Sequence, residues 1–519
     1  MTNPGVRLAL DTVVYKVDPL HPDEEIISKC AEVILRGGLV AFPTETVYGI
    51  GGNGLDPVAV AKIFEAKGRP PDNPLILHVS RPESVEALVE EIPPEAVRLM
   101  EMFWPGPLTL ILPKSHLVPS IVTGGLPTVA VRMPDHPVAQ KLIDACGVPL
   151  AAPSANISGR PSATSAEDVL ADLNGKVDII LDAGPTEIGI ESTLVDLSGD
   201  VPRVNRPGGL NLQSIREVLE TADVAPQPKY RHYVPDSDLY LVTGDLMQQR
   251  RKSIFHAIRF IGSGKKVVIL ASDENAPFYV PFQKVFGDDR MQVIPLGSRC
   301  DLSPVAAKLY SSLRRASNEL GADVILSETF PEEGIGFAIS NRLEMASEGR
   351  VVPWFDSASD YQPAPLAILM VCSGNTCRSP MAEGLLRRLW KDIGEPYPIH
   401  VASAGVSAIP GLPASREAIE VMAKRGVDLS YHRSKALEIE DVKRADLVIT
   451  MTKAHKAVLV LSYPEFSHKV FTLSEMISDR DLSDVPDPFG QDLEMYERTA
   501  DLLEQSLLVL AKRLAGLDV

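Results

Sequence analysis

The segment Leu366-Ala-Ile-Leu-Met-Val-Cys372-Ser-Gly-Asn-Thr-Cys-Arg378-Ser379-Pro leaves a folding chain few choices. Six apolar residues run onto a cysteine, and a helical pattern opens at Pro380 with Leu385, Leu386 and Leu389 on one face. The order is strand, loop, helix. The loop Ser373, Gly374, Asn375, Thr376, Cys377 would gather its backbone N–H groups and the positive end of the helix dipole around one small space that suits an anion. Cys372 sits at the base of that space and Arg378 at its rim. The N–H groups and the guanidinium favour a thiolate, and a thiolate facing a bound phosphate is a nucleophile.

The residues that follow read as an α/β unit. They give a strand His400-Val-Ala-Ser403-Ala-Gly, a helix from Ser415, a strand Ala445-Asp-Leu-Val-Ile-Thr-Met, a loop Asp484-Val-Pro-Asp487-Pro-Phe489-Gly490, and a last helix near Met495 to Leu514. A cysteinyl-phosphate mechanism needs an acid for the leaving group and then a base for water, and a loop carboxylate can serve as both. Asp487, pinned between two prolines, is the first candidate and Asp484 the second. A lone Cys-x5-Arg can arise by chance. Here it sits at a strand–helix junction with Ser403-Ala-Gly, His432-Arg-Ser and Asp487-Pro-Phe behind it, and residues 366–519 resemble the low-molecular-weight protein tyrosine phosphatase family. The resemblance implies Cys372 as nucleophile, Arg378 as transition-state clamp and Asp487 as acid/base. Asn375, Ser379, Ser403 and His432 would hold the loop in shape, with no metal. Thr376 and Phe489 match the protein arginine phosphatases of that family, whereas tyrosine-directed members usually place a bulkier aliphatic residue at the position of Thr376. This favours phosphoarginine over phosphotyrosine, since a desolvated polar contact discriminates strongly. Cys377 is either a packed small residue or, as the family implies, a resolving thiol for Cys372.

At 519 residues, with 45% hydrophobic and 23% charged residues, the chain is long enough for about three globular domains. A net charge of -18 argues against bulk wrapping of nucleic acid. Cys30, Cys146, Cys300, Cys372 and Cys377 show neither zinc spacing nor a disulfide framework. The start of the chain lacks the apolar core of a secretory signal, and no apolar run approaches the roughly 18 residues of a membrane span, so a soluble, cytoplasmic protein is expected.

The first 200 residues carry several polar motifs on α/β elements. A helical pattern from Asp23, with Ile26, Ile27, Ala31 and Ile34 on one face, stops at Gly37-Gly38 before the strand Leu39-Val-Ala-Phe42. Then come Pro43-Thr-Glu-Thr46-Val-Tyr-Gly49, Lys67-Gly-Arg69-Pro-Pro-Asp-Asn73, the strand with His78, the strand Thr128-Val-Ala-Val-Arg132, Ala151-Ala-Pro-Ser154-Ala-Asn156, Gly189-Ile-Glu-Ser192-Thr193 and Arg206-Pro-Gly. Lys67 and Arg69 on a proline-stiffened loop suit a polyphosphate, and an arginine inside a buried strand needs an anionic partner. The second reading of His78, after the functional one, is a core histidine satisfied by a backbone carbonyl.

This ordered set resembles the YrdC-type L-threonylcarbamoyladenylate synthases over residues 10–222. The resemblance implies a twisted α/β sheet around a cleft, where L-threonine, bicarbonate and ATP, with Mg2+, become threonylcarbamoyl-AMP and pyrophosphate. That product would pass to the machinery that makes threonylcarbamoyladenosine in tRNA. Lys67, Arg69, Ser154 and Asn156 would line the nucleotide end, with Asn73, Thr128, Ser162 and Arg206 touching ATP. Thr46, His78, Arg132, Ala152 and Ser192 would hold threonine, Arg132 taking its carboxylate. No general base is implied, because the reaction asks chiefly for alignment and charge neutralisation.

Residues 223–238, with Lys229-Tyr-Arg-His-Tyr233-Val-Pro, resemble the linker of the longer synthases, which closes over the site and makes Tyr233 a candidate ATP contact. Tyr230 is its rival. Residues 239–348 alternate strand and helix and resemble the small Rossmann-like accessory domain of those enzymes, with a structural and gating role; residues 349–365 form a second linker. The whole is an α/β multidomain chain with a parallel-sheet phosphatase at its end. A bifunctional enzyme acting on small substrates and on a phosphorylated protein is the leading reading. The alternatives are a tyrosine phosphatase in the last domain, or an end that only binds RNA or phosphate.

Overall fold

A computed structural model describes residues 11–219, 222–225, 232–355, 362–477 and 484–519. The chain forms two compact units. The first takes the chain up to Asp236 together with Leu296–Glu319 and Phe330–Gly349, and the second takes Ser237–Pro295, Leu320–Thr329 and Arg350–Val519. Residues 239–348 are thus shared between the two.

In the first unit a mixed sheet of eleven strands runs in the order Val13–Lys16, Ile179–Asp182, Val40–Phe42, Gly49–Asn53, Leu150–Ala151, Ile76–His78, Thr128–Arg132, Leu108–Pro113, Thr193–Asp196, Arg203–Arg206, Asp223–Val224. Strand alternation splits its side chains between two cores. Val40 and Phe42 join Ile27, Cys30 and Ile34 of the helix Glu24–Leu35, while Ala41 joins Ile63 and Phe64 on the other face. Asp23 starts that first helix, its carboxylate accepting from Glu25 N and Ile26 N. The helix Pro57–Lys67 is punctuated at both ends, with Asp56 capping its start and Gly68, at φ 62°, stopping it in the left-handed region. This stop sets Lys67 in the last helical turn and Arg69 on the loop beyond it.

In the second unit Asp238–Val242 and Val267–Ser272 each pair parallel with Val324–Glu328. A second sheet orders Ile399–Gly405, Leu366–Cys372, Leu447–Thr450 and Val470–Thr472, all parallel. One apolar core joins both layers: the Phe255 ring meets Trp354, Phe355 and Tyr397 edge-on at 5.1 to 5.6 Å, and Phe286 meets Phe471 at 5.2 Å. The helix after Cys372 spans Arg378–Asp392, starting two residues before the expected Pro380. Proline there falls in the first turn, where its missing N–H removes no intrahelical bond.

Candidate active sites

Leu366–Cys372 is paired on both sides, so the loop after it leaves from the middle of the sheet. Glycine at position 405, opposite Cys372, lets the loop pass: a Cβ there would lie 2.5 Å from Ser373 O and 2.9 Å from Asn375 N. Asn375 turns the chain at φ 53°, uncommon for a residue with a side chain, and its own groups hold it there. Its Nδ2 donates to Ser379 Oγ and Ser403 Oγ at 2.9 Å each, its Oδ1 accepts from Lys435 N at 2.7 Å, and its carbonyl lies 2.7 Å from His432 Nε2. The four support residues named from sequence therefore meet around one turn.

Inside the turn Cys372 Sγ lies 3.0 Å from Ser379 Oγ and accepts from Asn375 N–H at 3.3 Å. Arg378, almost fully buried, reaches Asp487 Oδ2 at 2.6 Å, Ser373 Oγ at 3.3 Å and Val485 O at 3.3 Å. Asp487 is half exposed. Asp484 is otherwise engaged, accepting from Lys453 N at 2.9 Å at the start of the helix Lys453–Ser462. Phe489, two residues past Asp487 and 70% exposed, donates its N–H to Asp487 Oδ1 at 3.2 Å. Cys377 is buried against Tyr496 OH at 3.3 Å and Ser415 Oγ at 3.4 Å, and Thr376 Oγ1 lies 3.6 Å from its sulfur. Sequence reading passed over His455, whose Nε2 lies 2.9 Å from Ser373 Oγ. A thiol, a guanidinium and a loop carboxylate gathered on one turn are the groups a cysteine-dependent phosphatase uses.

The first unit holds a cavity of about 510 Å³. Twelve of the residues named from sequence stand on its wall: Lys67, Arg69, Asn73, His78, Arg132, Ala152, Ser154, Asn156, Ser162, Ser192, Arg206 and Tyr233. Thr46 lies behind the wall residue Thr44, their hydroxyls 2.8 Å apart, and Thr128 lies two residues before the wall residue Ala130 on its strand. Tyr230 lies outside the described residues. The cations mostly shape the wall itself. Lys67 Nζ donates to the carbonyls of Ser154 and Asn156, and Arg69 clamps the proline loop through Asn73 O at 3.1 Å, Asn73 Oδ1 at 2.7 Å and Pro74 O at 2.8 Å. Arg206 Nη2 donates to Ser192 O at 2.9 Å and Ser192 Oγ at 3.2 Å.

Arg132 has an internal anionic partner that sequence reading did not name, Glu45 Oε1 at 2.7 Å, both side chains being buried. Beside it His78 sits 3.3 Å from Ile76 O, and burial together with the Arg132 charge holds its pKa at about 3, so its ring is neutral. Burial, and then Arg69, likewise press Lys67 well below the usual lysine range. Asn73 Nδ2 and Asn156 Oδ1 are buried on the wall without a hydrogen-bond partner, and these are atoms a polar ligand would satisfy.

The cavity wall also carries a carboxylate, Glu191. Burial alone would raise its pKa, but Arg342, Arg206 and Ser162 outweigh that and hold it at about 2. It accepts from Ser162 Oγ at 2.5 Å, from Tyr310 OH at 3.0 and 3.1 Å, and from Arg342 Nε at 2.8 Å. Tyr233, at φ 64°, stacks on Tyr310 at 5.3 Å with the Arg342 guanidinium 5.1 Å from its ring centroid. Tyr310 and Arg342 come from the helices Ser303–Arg314 and Gly336–Ala346, a stretch the sequence reading left without site residues. Phe337, Asn341 and Met345 of the second helix also stand on the wall.

Residues 32–208 match the family model described as Telomere recombination, residues 210–348 the one described as Threonylcarbamoyl-AMP synthase, C-terminal domain, and residues 367–517 the one described as Low molecular weight phosphotyrosine protein phosphatase. Over 343 residues the chain is 46% identical to the threonylcarbamoyl-AMP synthase of Pyrococcus abyssi, covering 64% of this chain and 96% of that one. The crystal structure of P. abyssi Sua5 complexed with L-threonine superposes with a TM-score of 0.60 at 44% identity, covering 66% of this chain and 98% of that one. The protein-arginine-phosphatase of Bacillus subtilis is 41% identical over 147 residues, 28% of this chain and 95% of the relative. The chain belongs to the threonylcarbamoyl-AMP synthase family in its longer N-terminal part and to the low-molecular-weight phosphatase family from residue 367 onward. Both are families of enzymes. Among the described residues no helix is long and apolar enough to cross a membrane.

Proposed function

We propose that one chain carries two catalysts in the cytoplasm. The first joins L-threonine, bicarbonate and ATP into L-threonylcarbamoyladenylate, releasing pyrophosphate and supplying the threonylcarbamoyl group for tRNA modification. The second removes phosphate from a phosphorylated protein through Cys372, with phosphoarginine favoured over phosphotyrosine. The observation that carries the first is the single cavity walled by Lys67, Arg69, Arg132 and Arg206. It has room for a nucleotide and an amino acid, and its one acidic wall residue is already paired with Arg342. Arg132 and Ser192 would hold threonine, while Ser154, Asn156 and Tyr233 would face the nucleotide. Among the described residues no group of three or more His, Cys, Asp or Glu side chains could hold a metal ion, so Mg2+ would come as the ATP complex, bound to phosphates.

At the second site Cys372 Sγ would attack phosphorus as Asp487 protonates the leaving guanidine nitrogen. Asp487, now a carboxylate, would then take a proton from the water that attacks the cysteinyl phosphate, and inorganic phosphate departs. A phosphoryl group in the loop would take the Arg378 guanidinium and so free Asp487 for this work. Thr376 and Phe489, with the likeness to a protein-arginine-phosphatase, support the phosphoarginine preference. Purified chain should release pyrophosphate from ATP only when threonine and bicarbonate are present; release without threonine would reject the first reading. Thr376→Ile should shift preference from phosphoarginine toward phosphotyrosine peptides by about tenfold or more, and an unchanged ratio would remove Thr376 as the discriminator.

A further inference from the structure

A polar chain leads from the helix Lys453–Ser462 to the phosphate loop. Thr452 caps that helix, its Oγ1 accepting from the His455 backbone N–H at 3.1 Å and lying 2.8 Å from His455 Nδ1. The ring's other nitrogen, Nε2, lies 2.9 Å from Ser373 Oγ, and the same oxygen accepts from Arg378 Nη2 at 3.3 Å. His455 is buried, and the charged groups acting on it are Arg378, Asp487 and Asp484. Burial, and after it the Arg378 charge, lower its pKa, so the ring is neutral near pH 7.

A neutral imidazole has one N–H to give. With that hydrogen on Nε2, the Thr452 hydroxyl donates to Nδ1, and Ser373 Oγ accepts from both His455 and Arg378. Both acceptor positions of the serine hydroxyl are then filled, and its own hydrogen is free for an oxygen bound in the loop. In the opposite tautomer Ser373 spends its hydrogen on Nε2 and turns a lone pair to a phosphoryl oxygen, which repels. A bound phosphoryl group selects the first arrangement.

We infer that His455 is a positioning residue of the phosphatase site: its Nε2–H sets the Ser373 hydroxyl as a donor to the transferring phosphoryl group and steadies Arg378 through the same oxygen. The inference rests on the cysteine-dependent phosphatase reading above and is independent of the phosphoarginine preference.

Full-length wild type, His455→Phe, Ser373→Ala and the double variant are compared on a generic aryl phosphate. Each single change should lower kcat by about tenfold to a hundredfold, with KM nearly unchanged, as for loss of one preorganised donor. The double variant should be no slower than the slower single, because the two residues act as one unit. His455→Gln, which keeps an N–H donor, should recover part of the rate. Ser373→Ala, a small change that leaves the histidine in place, covers the case in which His455→Phe fails to fold. A Ser373→Ala rate within twofold of wild type overturns the inference, and so do losses that multiply in the double variant. If wild type itself fails to hydrolyse the ester, the phosphatase reading falls; if wild type hydrolyses it and His455→Phe matches wild type, only the role of His455 falls.

Discussion

Arg342→Met tests the packing around Glu191 on the cavity wall. Arg342 is completely buried and donates to Glu191 at 2.8 Å, and its guanidinium faces the Tyr233 ring. Removing one member of a buried ion pair leaves an unpaired charge and costs about 3 to 5 kcal/mol. Glu191 is held at about 2 against a usual 4.5, the net result of Arg342, Arg206 and Ser162 acting against burial. A depressed carboxylate stabilises the fold fully above its unfolded pKa, and that stabilisation is lost as pH falls from about 4.5 toward 2. Methionine keeps the length of the side chain and removes the charge. Hydrogen exchange of the strand Thr193–Asp196 and the helix Gly336–Ala346 should report a local stability loss of about 3 kcal/mol at pH 7. With Arg342 gone Glu191 loses the strongest group that depresses it, so the stability lost on acidification should shrink, and KM for ATP should rise as Tyr233 loses its cationic neighbour. Adding Glu191→Gln removes the stranded charge and should restore at least half of the stability. A loss below about 1 kcal/mol, or a double variant no more stable than Arg342→Met, would refute the reasoning.

Asp487→Asn should lower phosphatase kcat by about a hundredfold to ten-thousandfold, most with poor leaving groups, because the acid and the base are lost together; equal loss for good and poor leaving groups would point to Asp484 instead. Burial is the main reason that His78 is held at about 3 and His232 and His256 at about 4. The unfolded chain therefore takes up protons first as pH falls below about 6.5. Stability should be highest above that value and fall toward pH 4 by roughly 1.4 kcal/mol per pH unit for each histidine. Thermal melting at stepped pH checks this, and a flat profile between pH 6.5 and 4.5 would contradict it.

What could be read from the residues was local. The strand, loop and helix around Cys372, the glycine stops and the polar motifs of the first unit all rest on neighbours a few residues apart. Many of the motif residues reach one wall because they end a strand or follow it closely, as His78, Arg132, Ala152 and Arg206 do, while Lys67 ends a helix. Partners far along the chain were out of reach. Glu191 lay inside a quoted motif, yet Tyr310 stands 119 positions away and Arg342 stands 151. His455 stands 82 positions from the serine it holds. Arg132 was read as needing an anion, and Glu45, within the threonine motif, supplies one internally. The alternation of strand and helix over residues 239–348 was legible, but it could not reveal that Ser303–Arg314 and Gly336–Ala346 would bring Tyr310 and Arg342 to Glu191.

The division of residues 239–348 between two units also bears on the order in which the protein is made. Glu191 leaves the ribosome about 120 residues ahead of Tyr310 and about 150 ahead of Arg342, and the sheet beginning at Asp238 is synthesised in between. At the roughly 5 to 20 residues per second of translation, a carboxylate destined for burial waits several seconds or more for its counter-ion. Of the groups that hold Glu191 ionised, only Ser162 and Arg206 have been synthesised by then. The cavity of the first unit is therefore among the last parts of that unit to close, after the first strands of the next unit already exist.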